Sequence, residues 1–575
     1  MKRFLKILGI IIAVLIVIAI ILPFVIDANT FRPKLESELT DLLGRQVTVG
    51  NLSLSLWSGG VAADNISIAD DPAFSKNPFV QAKSLRVGVE MIPLIFSRTL
   101  NVTNITLNDP QISLVRSENG EKWNFSSLGT KNATPGASES PSSAPAEQKP
   151  SQPGSKQSPS SSKATPAQTG ATENAKPSSA APSNPNVTVG KLNVNNGRLT
   201  VSQANATRSQ RVYDKVNIQV TNFSFNSPFP FQMTSDLPGG GNMKLNGQAG
   251  PINAADAALT PVNAKISVQK MNLADSGFID PAAGIAGIAD LTGTVTSNGH
   301  DAKANGTVTV NNLKVSQKGA PAGRPVDVKF DVVHNLVKQT GDIHQCDISM
   351  GKAVAHLTGT YDAHGKVTTV NLKLNGAGMP VDDLEAMLPA VGVTLPTNAK
   401  LTGGDLNVTA DSTGPVDKLV TTGNVKLENT RLANFNLGQK LAAVAALAGK
   451  NTGNDTTIQN FSSDVRNSPA GTEANNVNLN VPAIGVLTGA GTVSSSNQLA
   501  FKMKADVGGM GIPFGVTGTT SDPKFTPDVK GIATGLLGAF ASGATGNQNQ
   551  QQQQQNPINS VMGLFKKKPA QQQPK

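Results

Sequence analysis

Apolar and polar residues alternate along most of this chain with a period of two, which is typical of β-strands that bury one face. In the run from Val47 to Trp57, for example, leucine alternates with serine. Similar runs recur in both halves of the chain, at 66–68, 85–89, 105–107, 112–114, 326–332, 370–374, 477–481 and 501–507. Turns rich in Gly, Asn and Asp separate them, as hairpins require. The pattern predicts a mostly β protein built of repeated antiparallel hairpins.

A few short stretches have helical spacing instead. The first begins near Asn29-Thr30, which can cap a helix, and ends at Gly44. Its apolar face is made of leucines: Leu35, Leu39, Leu42 and Leu43. Another runs from Leu437 to Leu447 and is rich in alanine. We interpret it as a structural helix that packs on the sheet or closes its end, the alternative being a helix that binds a partner.

The first 26 residues follow neither pattern, because Ile7 to Ile26 carry no polar side chain. As a helix this run is about 30 Å long, the thickness of a bilayer's hydrocarbon core. A signal peptide would have an apolar region of about 7–15 residues and a small-x-small cleavage site. We therefore predict that residues 1–26 are a cytoplasmic N-terminus and a transmembrane anchor. The residues that represent the anchor are Phe4, Ile7, Leu15, Ile21 and Ile26.

Charges on the two sides of this run predict its orientation. Lys2, Arg3 and Lys6 precede it, whereas acidic residues such as Asp27 and Glu36 lie among the basic ones that follow. Cytoplasmic flanks are enriched in Lys and Arg. The N-terminus is therefore expected in the cytoplasm and residues 27–575 outside it.

Composition divides the remaining chain. Residues 130–186 contain no Leu, Ile, Val, Phe, Met, Trp or Tyr, and such a segment cannot offset its chain entropy by burial. We predict a disordered Ser/Pro/Ala-rich insertion that either separates two domains or loops out of one sheet. It lies between β regions at 27–129 and 187–540. Residues 541–575 form a Gln-rich, Lys-ended tail, which is either frayed or in contact with a membrane surface.

Short repeats indicate internal duplication. Leu-Thr-Gly occurs at 291–293, 357–359, 401–403 and 487–489. The runs NGTVTVNNLKV (305–315) and TGNVKLENTRL (422–432) match in register, and each follows a Leu-Thr-Gly strand. Before those strands we expect short helical stretches at Asp280–Ala289 and Val381–Leu388.

The net charge of +10 comes mostly from the two termini. The terminal basic residues are Lys2, Arg3, Lys6, Lys566, Lys567, Lys568 and Lys575. Basic clusters beside apolar residues suit an anionic membrane surface, whereas a nucleic-acid groove needs basic residues along the body of the protein. We expect no nucleic-acid partner.

No motif with a catalytic mechanism is found. Cys346 is the only cysteine, so it can form neither an intramolecular disulfide nor a multi-thiolate metal site. The five histidines lack HExxH spacing, and the chain has neither a GxSxG elbow nor a phosphate loop. We expect a protein that is not an enzyme and uses no metal or cofactor.

Three stretches carry a resemblance to the AsmA family, the AsmA/TamB-like envelope proteins of Gram-negative bacteria. The first is DANTFRPKLESELTDLLGRQVTVGNLSLSLW (27–57), which follows the predicted anchor. The second is GPVDKLVTTGNVKLENTRLANFNL (414–437) with the helix after it, and the third is GTTSDPKFTPDVKGIATGLL (518–537). Residues 130–186 and the Gln-rich tail depart from the resemblance.

The resemblance implies an elongated, curved antiparallel β-sheet groove behind an inner-membrane anchor, with the bulk of the chain in the periplasm. It also implies binding of lipid acyl chains and transport of phospholipid between the inner and outer membranes. Implied partners are membrane phospholipids, the inner membrane through the N-terminal helix, and the outer membrane or envelope proteins through the C-terminal segment. The alternative is a factor for outer-membrane protein assembly or envelope organisation without lipid transfer. A passive spacer with a closed β-sandwich is a third interpretation.

A sheet with one apolar face must cover that face, and the chain offers no amphipathic helices of matching extent. Acyl chains in a curled sheet could supply the cover. The candidate lipid-facing residues are Val328, Val370, Leu372, Leu374, Val477, Leu479 and Val481.

Overall fold

The protein is described here from a computed structural model. The structure describes residues 27–55, 60–90, 102–118, 120–128, 187–204, 210–279, 281–365, 367–441, 453–507 and 510–528. The predicted anchor (1–26), the insertion (130–186) and the tail (541–575) lie outside these residues. Within the described ranges no helix has the length and apolar character needed to cross a membrane.

The described strands form one 26-stranded sheet. In chain order they are β1 (Val47–Thr48), β2 (Leu52–Ser55), β3 (Gly60–Ala69), β4 (Pro78–Val89), β5 (Val102–Asn108), β6 (Gln111–Arg116), β7 (Thr188–Gln203), β8 (Arg211–Ser224), β9 (Phe229–Asp236), β10 (Asn242–Ala249), β11 (Val262–Asn272), β12 (Ala286–Ser297), β13 (Asp301–Lys314), β14 (Val326–Asn335), β15 (Thr340–Met350), β16 (Ala353–Asp362), β17 (Thr369–Pro380), β18 (Lys400–Thr402), β19 (Asp405–Pro415), β20 (Val420–Ala433), β21 (Thr456–Ser468), β22 (Gly471–Val481), β23 (Gly485–Ser494), β24 (Leu499–Val507), β25 (Met510–Gly518) and β26 (Pro523–Pro527).

Most strands pair with their neighbours in the chain as antiparallel hairpins, which confirms the predicted mostly β, antiparallel fold. β1 and β2 both pair with β3, and β18 and β19 both pair with β20. β7 is the exception, because it runs parallel to β5 and β6. Since β6 and β7 are neighbours, residues 130–186 connect adjacent strands of one sheet.

The first predicted helix is confirmed. A 3₁₀ turn (Ala28–Phe31) leads into α1 (Arg32–Leu43). The cap lies two residues before Asn29, since the carboxylate of Asp27 caps the 3₁₀ turn by accepting a hydrogen bond from the Asn29 backbone N–H at 2.9 Å. Gly44 then adopts φ 64° and ends the helix, as glycine does at a helix C-terminus.

The other helical elements of the described ranges are short. They are α2 (Val381–Leu384), α3 (Leu437–Lys440) and the 3₁₀ turns Ala257–Leu259, Pro281–Ala283 and Glu385–Met387. The helical stretch expected at 280–289 is wrong beyond Ala283, because β12 begins at Ala286 and pairs with β13. The continuation of α3 to Leu447 falls on residues outside the described ranges.

The two matched sequence runs occupy equivalent places in β13 and β20. In both, a left-handed asparagine lies six residues after a glycine: Asn312 has φ 54° and Asn429 has φ 51°. At Asn312 the pairing of β12 with β13 shifts register between Asn311 and Lys314, which marks a bulge that bends the strand and increases its twist. The sequence duplication therefore repeats one local backbone conformation, the left-handed asparagine.

Glycines of this sheet allow close approach of neighbouring backbones. A Cβ on Gly306 would lie 2.3 Å from the carbonyl oxygen of Thr292, and one on Gly423 would lie 2.2 Å from that of Thr409. Three Leu-Thr-Gly copies, at 291–293, 357–359 and 487–489, lie within strands, with the threonine exposed and the leucine and glycine turned to the opposite face. In the copy at 401–403, the glycine lies in a turn instead.

Gly306→Ala and Gly423→Ala should weaken the sheet to similar extents, because each adds a methyl group against a neighbouring carbonyl. We expect the free energy of local opening around β12–β13 or β19–β20 to fall by about 1–3 kcal/mol, the usual cost of overpacking. Amide hydrogen exchange measures this. Gly453→Ala is the matched control, since its Cβ would meet nothing within 4 Å. Equal protection of the amides from hydrogen exchange in all three variants would contradict the claim that these glycines allow neighbouring strands to approach.

Candidate functional site

One face of the sheet carries an unbroken row of non-polar residues that are directly paired from strand to strand. We call it the central row. It crosses every strand except β1, β6 and β18. Its members are Leu52, Ala63, Leu85, Leu107, Val194, Ile218, Met233, Leu245, Ile266, Gly293, Gly306, Phe330, Cys346, Leu357, Leu374, Ala410, Gly423, Val465, Ala474, Gly491, Phe501, Val516 and Phe525.

Residues of the central row are less exposed to solvent than their neighbours on the opposite face of the sheet. Every member of the central row is buried or half-buried. Lys329, Lys373 and Lys502, each one position from a member, are exposed. Paired residues share a face and adjacent residues in a strand alternate faces, so the row is the floor of an apolar trough with a polar exterior.

The middle of the trough is only partly covered. Large apolar members such as Leu245, Ile266, Leu357 and Leu374 remain half-buried, although such side chains are usually fully buried in a closed protein core. At β13–β15, the segment after α2 contributes cover, since Ala386, Met387 and Ala390 pack beside Val328.

Helix α1 covers the first end of the trough. Its leucines pack on buried residues of β1–β4 and of the link between β1 and β2: Val47, Val49, Leu52, Ala63, Ile66 and Ala82. Arg45, in the Gly-Arg pair that follows the helix, is almost fully buried. Its Nη2 donates hydrogen bonds to the Asn124 carbonyl at 2.9 Å and to Ser127 Oγ at 2.5 Å, and pairs with Asp71 Oδ2 at 3.2 Å. This arginine ties residues 120–128 to the covered end.

Asp70 belongs to the same polar cluster. Asn124 Nδ2 donates to both of its carboxylate oxygens at 3.0 Å. Burial nevertheless raises the pKa of the Asp70 carboxyl, which outweighs the lowering by these hydrogen bonds. The cluster thus links residues 120–128 to the turn that follows β3.

The other end of the trough holds a cavity of about 360 Å³. Its lining is almost entirely apolar and comes from the last strands and the loops beside them. The lining residues are Pro396, Leu432, Phe435, Leu437, Thr456, Ile458, Val477, Leu479, Leu487, Leu499, Phe501, Met503, Phe514, Val516, Thr520, Pro523 and Phe525. Phe501, Val516 and Phe525 are the last members of the central row, so the cavity is continuous with the trough.

The predicted lipid-facing residues all lie on the apolar face, but in different settings. Leu374 belongs to the central row, and the half-buried Leu372 and Val370 precede it on the same face. Val477 and Leu479 line the terminal cavity. Contact of these residues with lipid stays a prediction.

Each of the two remaining predicted residues packs against a segment outside the sheet. Val328 pairs with Val308 and Ile348 beside the central row. Val481 is 1% exposed and packs beneath α3 with Leu437 and Leu441, so in this structure it is a core residue.

Sequence reasoning missed the central row itself, because the row depends on the register of every strand pair. The repeated Leu-Thr-Gly and the aligned Gly306 and Gly423 were a signal of it, since Gly293, Gly306, Leu357 and Gly423 are members. The sequence alone assigns Cys346 no place in the site, yet in the structure it lies on the floor between Phe330 and Leu357.

The site can hold hydrocarbon and offers little for acid–base chemistry. Along the described strands no three His, Cys, Asp or Glu side chains gather as metal ligands. The lining of the terminal cavity includes threonine hydroxyls as its polar groups and carries no charged side chain. An apolar ligand would bind here through burial of its surface.

Comparison with known proteins identifies the family. A model of the AsmA family matches residues 1–321, which is more than half of the chain. The chain therefore belongs to the AsmA family. No curated protein and no solved structure matches it.

The thiol of Cys346 provides a test of the trough's polarity. Burial, and next the negative charge of Asp347, raise the pKa of this thiol above its ordinary value. We expect its maleimide labelling at pH 8 to be about tenfold or more slower than that of an exposed cysteine, because only the thiolate reacts. The rate should rise with pH until the raised pKa is passed. Lys373→Cys in a Cys346→Ser background is the exposed control, and equal labelling rates would contradict a half-buried floor position.

Proposed function

We propose that this protein is a non-catalytic, inner-membrane-anchored periplasmic protein that binds phospholipid acyl chains in its trough and supports phospholipid transport between the inner and outer membranes. The observation that carries the proposal is the unbroken central row. Membership of the AsmA family supports the envelope setting. The apolar run at 7–26 would place one end of the trough near a membrane.

Continuity of the row suits movement as well as binding. Each buried methylene contributes about 0.8 kcal/mol, so an acyl chain is held wherever apolar floor is present. An acyl chain of about 20 Å reaches about four strands at the strand spacing of about 4.8 Å. Because the next strand offers similar apolar contact, the chain can advance without leaving an apolar environment. A polar interruption would raise the barrier to that movement.

The row is also long. Counted along the sheet from β2 to β26 at about 4.8 Å per strand, it extends on the order of 110 Å. A lipid path of this length could cover a sizeable part of the distance between two membranes. The cavity at its far end, next to the C-terminal segment, would be the last apolar site that a lipid occupies before it leaves the protein.

Assembly of outer-membrane proteins through the sheet edge is the second candidate. The edge strand β26 pairs with β25 and has a proline at each end, Pro523 and Pro527. Proline removes a backbone donor and is a common protection of edge strands against added strands. This edge therefore favours the assembly role less than the open trough favours lipid binding.

Photo-crosslinking tests lipid contact directly. A photoreactive amino acid at Val370, Leu374 or Leu479 should yield phospholipid adducts in cells, because these side chains face the trough. Lys373, which is exposed on the outer face, is the matched control and should give few. Adducts confined to Lys373, or adducts to polypeptide alone, would contradict the proposal. Mass spectrometry of the purified protein detects the adducts and identifies them as lipid or polypeptide.

Interruption of the floor tests transport. Leu357→Asp with Leu374→Asp puts two carboxylates side by side in the central row, since these residues are paired across β16 and β17. Lipid transfer should fall about tenfold or more, because desolvating one carboxylate costs several kcal/mol. Lipid binding at the terminal cavity should remain.

Lys373→Asp with Thr358→Asp is the control pair for this experiment. These residues are also paired across β16 and β17, but they lie on the exposed face. The control pair introduces the same two acidic side chains outside the trough. Transfer that falls equally in both double variants would contradict passage along the central row.

A further inference from the structure

Two arginines lie at one edge of the trough, on its apolar face. Leu114 of β6 pairs with Val201 of β7, and Val201 pairs with Arg211 of β8. Arg116 follows Leu114 by two residues and therefore shares its face. Leu114 and Val201 belong to the buried apolar cluster of this part of the sheet. Both guanidinium groups are thus placed beside the apolar floor.

Among the residues that the structure describes, neither arginine forms an ion pair with a carboxylate. Six other arginines of the described ranges do pair with a carboxylate: Arg32, Arg45, Arg198, Arg324, Arg431 and Arg466. Arg116 instead donates to the side-chain oxygen of Gln339, and its buried Nε has no partner. Arg211 lies over the ring of Phe278, at 4.8 Å from its centroid.

The two positive charges are close enough to affect each other. Burial, and next the charge of Arg211, lower the pKa of the Arg116 guanidinium, which nonetheless stays charged at neutral pH. Two like charges at an apolar edge are unfavourable without a counter-ion. The described residues provide no counter-ion for this pair of arginines, so an anion from outside the protein would stabilise it.

Aromatic residues gather at the same edge, although they make up only 4% of the chain. Trp123 lies under Arg116, with 5.8 Å from the guanidinium carbon to the ring centroid. Tyr213 is buried in the cluster with Val201. Tyr361 contacts His334 Nδ1 through its hydroxyl at 3.1 Å. Both tyrosines of the protein are therefore near this edge, where amphipathic rings suit a boundary between hydrocarbon and water.

His334 does not add a charge at neutral pH. Burial, and next the positive charge of Arg116, hold the pKa of the His334 imidazole below its ordinary value. The contact from Arg116 to Gln339 joins β6 to the turn between β14 and β15, so the edge is enclosed on two sides. Positive charge in this enclosure comes from Arg116 and Arg211.

We infer that Arg116 and Arg211 bind the phosphate group of a phospholipid whose acyl chains lie on the neighbouring floor of the trough. This inference rests on the proposed function and names the headgroup chemistry of the same site. Guanidinium groups match phosphate oxygens with two parallel hydrogen bonds, which a single ammonium cannot do. Ile218, Met233 and Ile266 of the central row pack against the cluster beside the arginines, so one ligand can reach both surfaces.

Lipid retention by the full-length protein in detergent tests the inference. The probes are dioleoyl phosphatidylglycerol and dioleoylglycerol, which share acyl chains and differ in phosphate. We expect the wild type to retain the phospholipid about tenfold more than the diacylglycerol, the effect of about 1.4 kcal/mol. Arg116→Gln with Arg211→Gln should abolish this preference and leave diacylglycerol retention unchanged. Loss of both lipids alike, or an unchanged preference, would overturn the phosphate site.

Two controls separate charge from structure. Gln339→Ala removes the contact that joins β6 to the distant turn and keeps both arginines, so the preference for phospholipid should persist. Arg198→Gln removes an exposed arginine that pairs with Asp214 at 3.0 Å and should also leave it unchanged. A loss of preference in Gln339→Ala equal to that of the double variant would assign the effect to folding and overturn the inference.

Competition with inorganic phosphate distinguishes the two ligands that the arginines could bind, a phospholipid headgroup and a free phosphate ion. Millimolar phosphate should reduce retention of phosphatidylglycerol and leave dioleoylglycerol retained. Tight binding of inorganic phosphate that phosphatidylglycerol does not displace would indicate a soluble ligand and overturn the lipid assignment. If the wild type retains neither lipid, the proposed function itself fails. If wild type and double variant retain both lipids equally, lipid binding stands and only the phosphate site fails.

Discussion

The register between neighbouring strands is the constraint on which this structure depends. Side chains alternate faces with a period of two, so a slip of one residue in a single pair would turn that strand's apolar residues outward. The central row exists because successive pairs keep their registers, from Leu52 against Ala63 to Val516 against Phe525. The parallel step from Leu107 to Val194 preserves it across the insertion at 130–186. The long apolar path therefore depends on the register of every strand pair along it.

Curvature is the second requirement, because a flat sheet would leave the apolar face open to water. Glycines of the central row, such as Gly306 and Gly423, stand where a methyl group would meet a neighbouring carbonyl. A bulge at the left-handed Asn312 bends β13 further. The same small residues that permit the bend also leave room above the floor. Partial cover by α1 and by the segment after α2 then leaves the middle available to a ligand.

Local patterns predicted much of this fold. The alternation at Val370–Leu374 correctly indicated a strand with one apolar face, and the leucines before Gly44 correctly indicated α1. The stretch after Asp280 was misjudged, because its alanines and isoleucines suit a helix alone but pair with β13 in the fold. Tertiary pairing also decided that Val481 is a core residue beneath α3. Neither the central row nor the Arg116–Arg211 edge could be predicted, since both depend on residues brought together from distant strands.

The most direct test of the account is the density that accompanies the protein when it is purified from membranes with its native lipids. Cryo-electron microscopy of such a sample should show tubular density lying on the central row, in the middle strands around Leu245 to Leu374 and in the cavity beside Phe501. The density should follow the row across strands, as acyl chains would. A trough closed by its own side chains, or filled by polypeptide, would contradict the claim that the uncovered apolar face is a path for lipid.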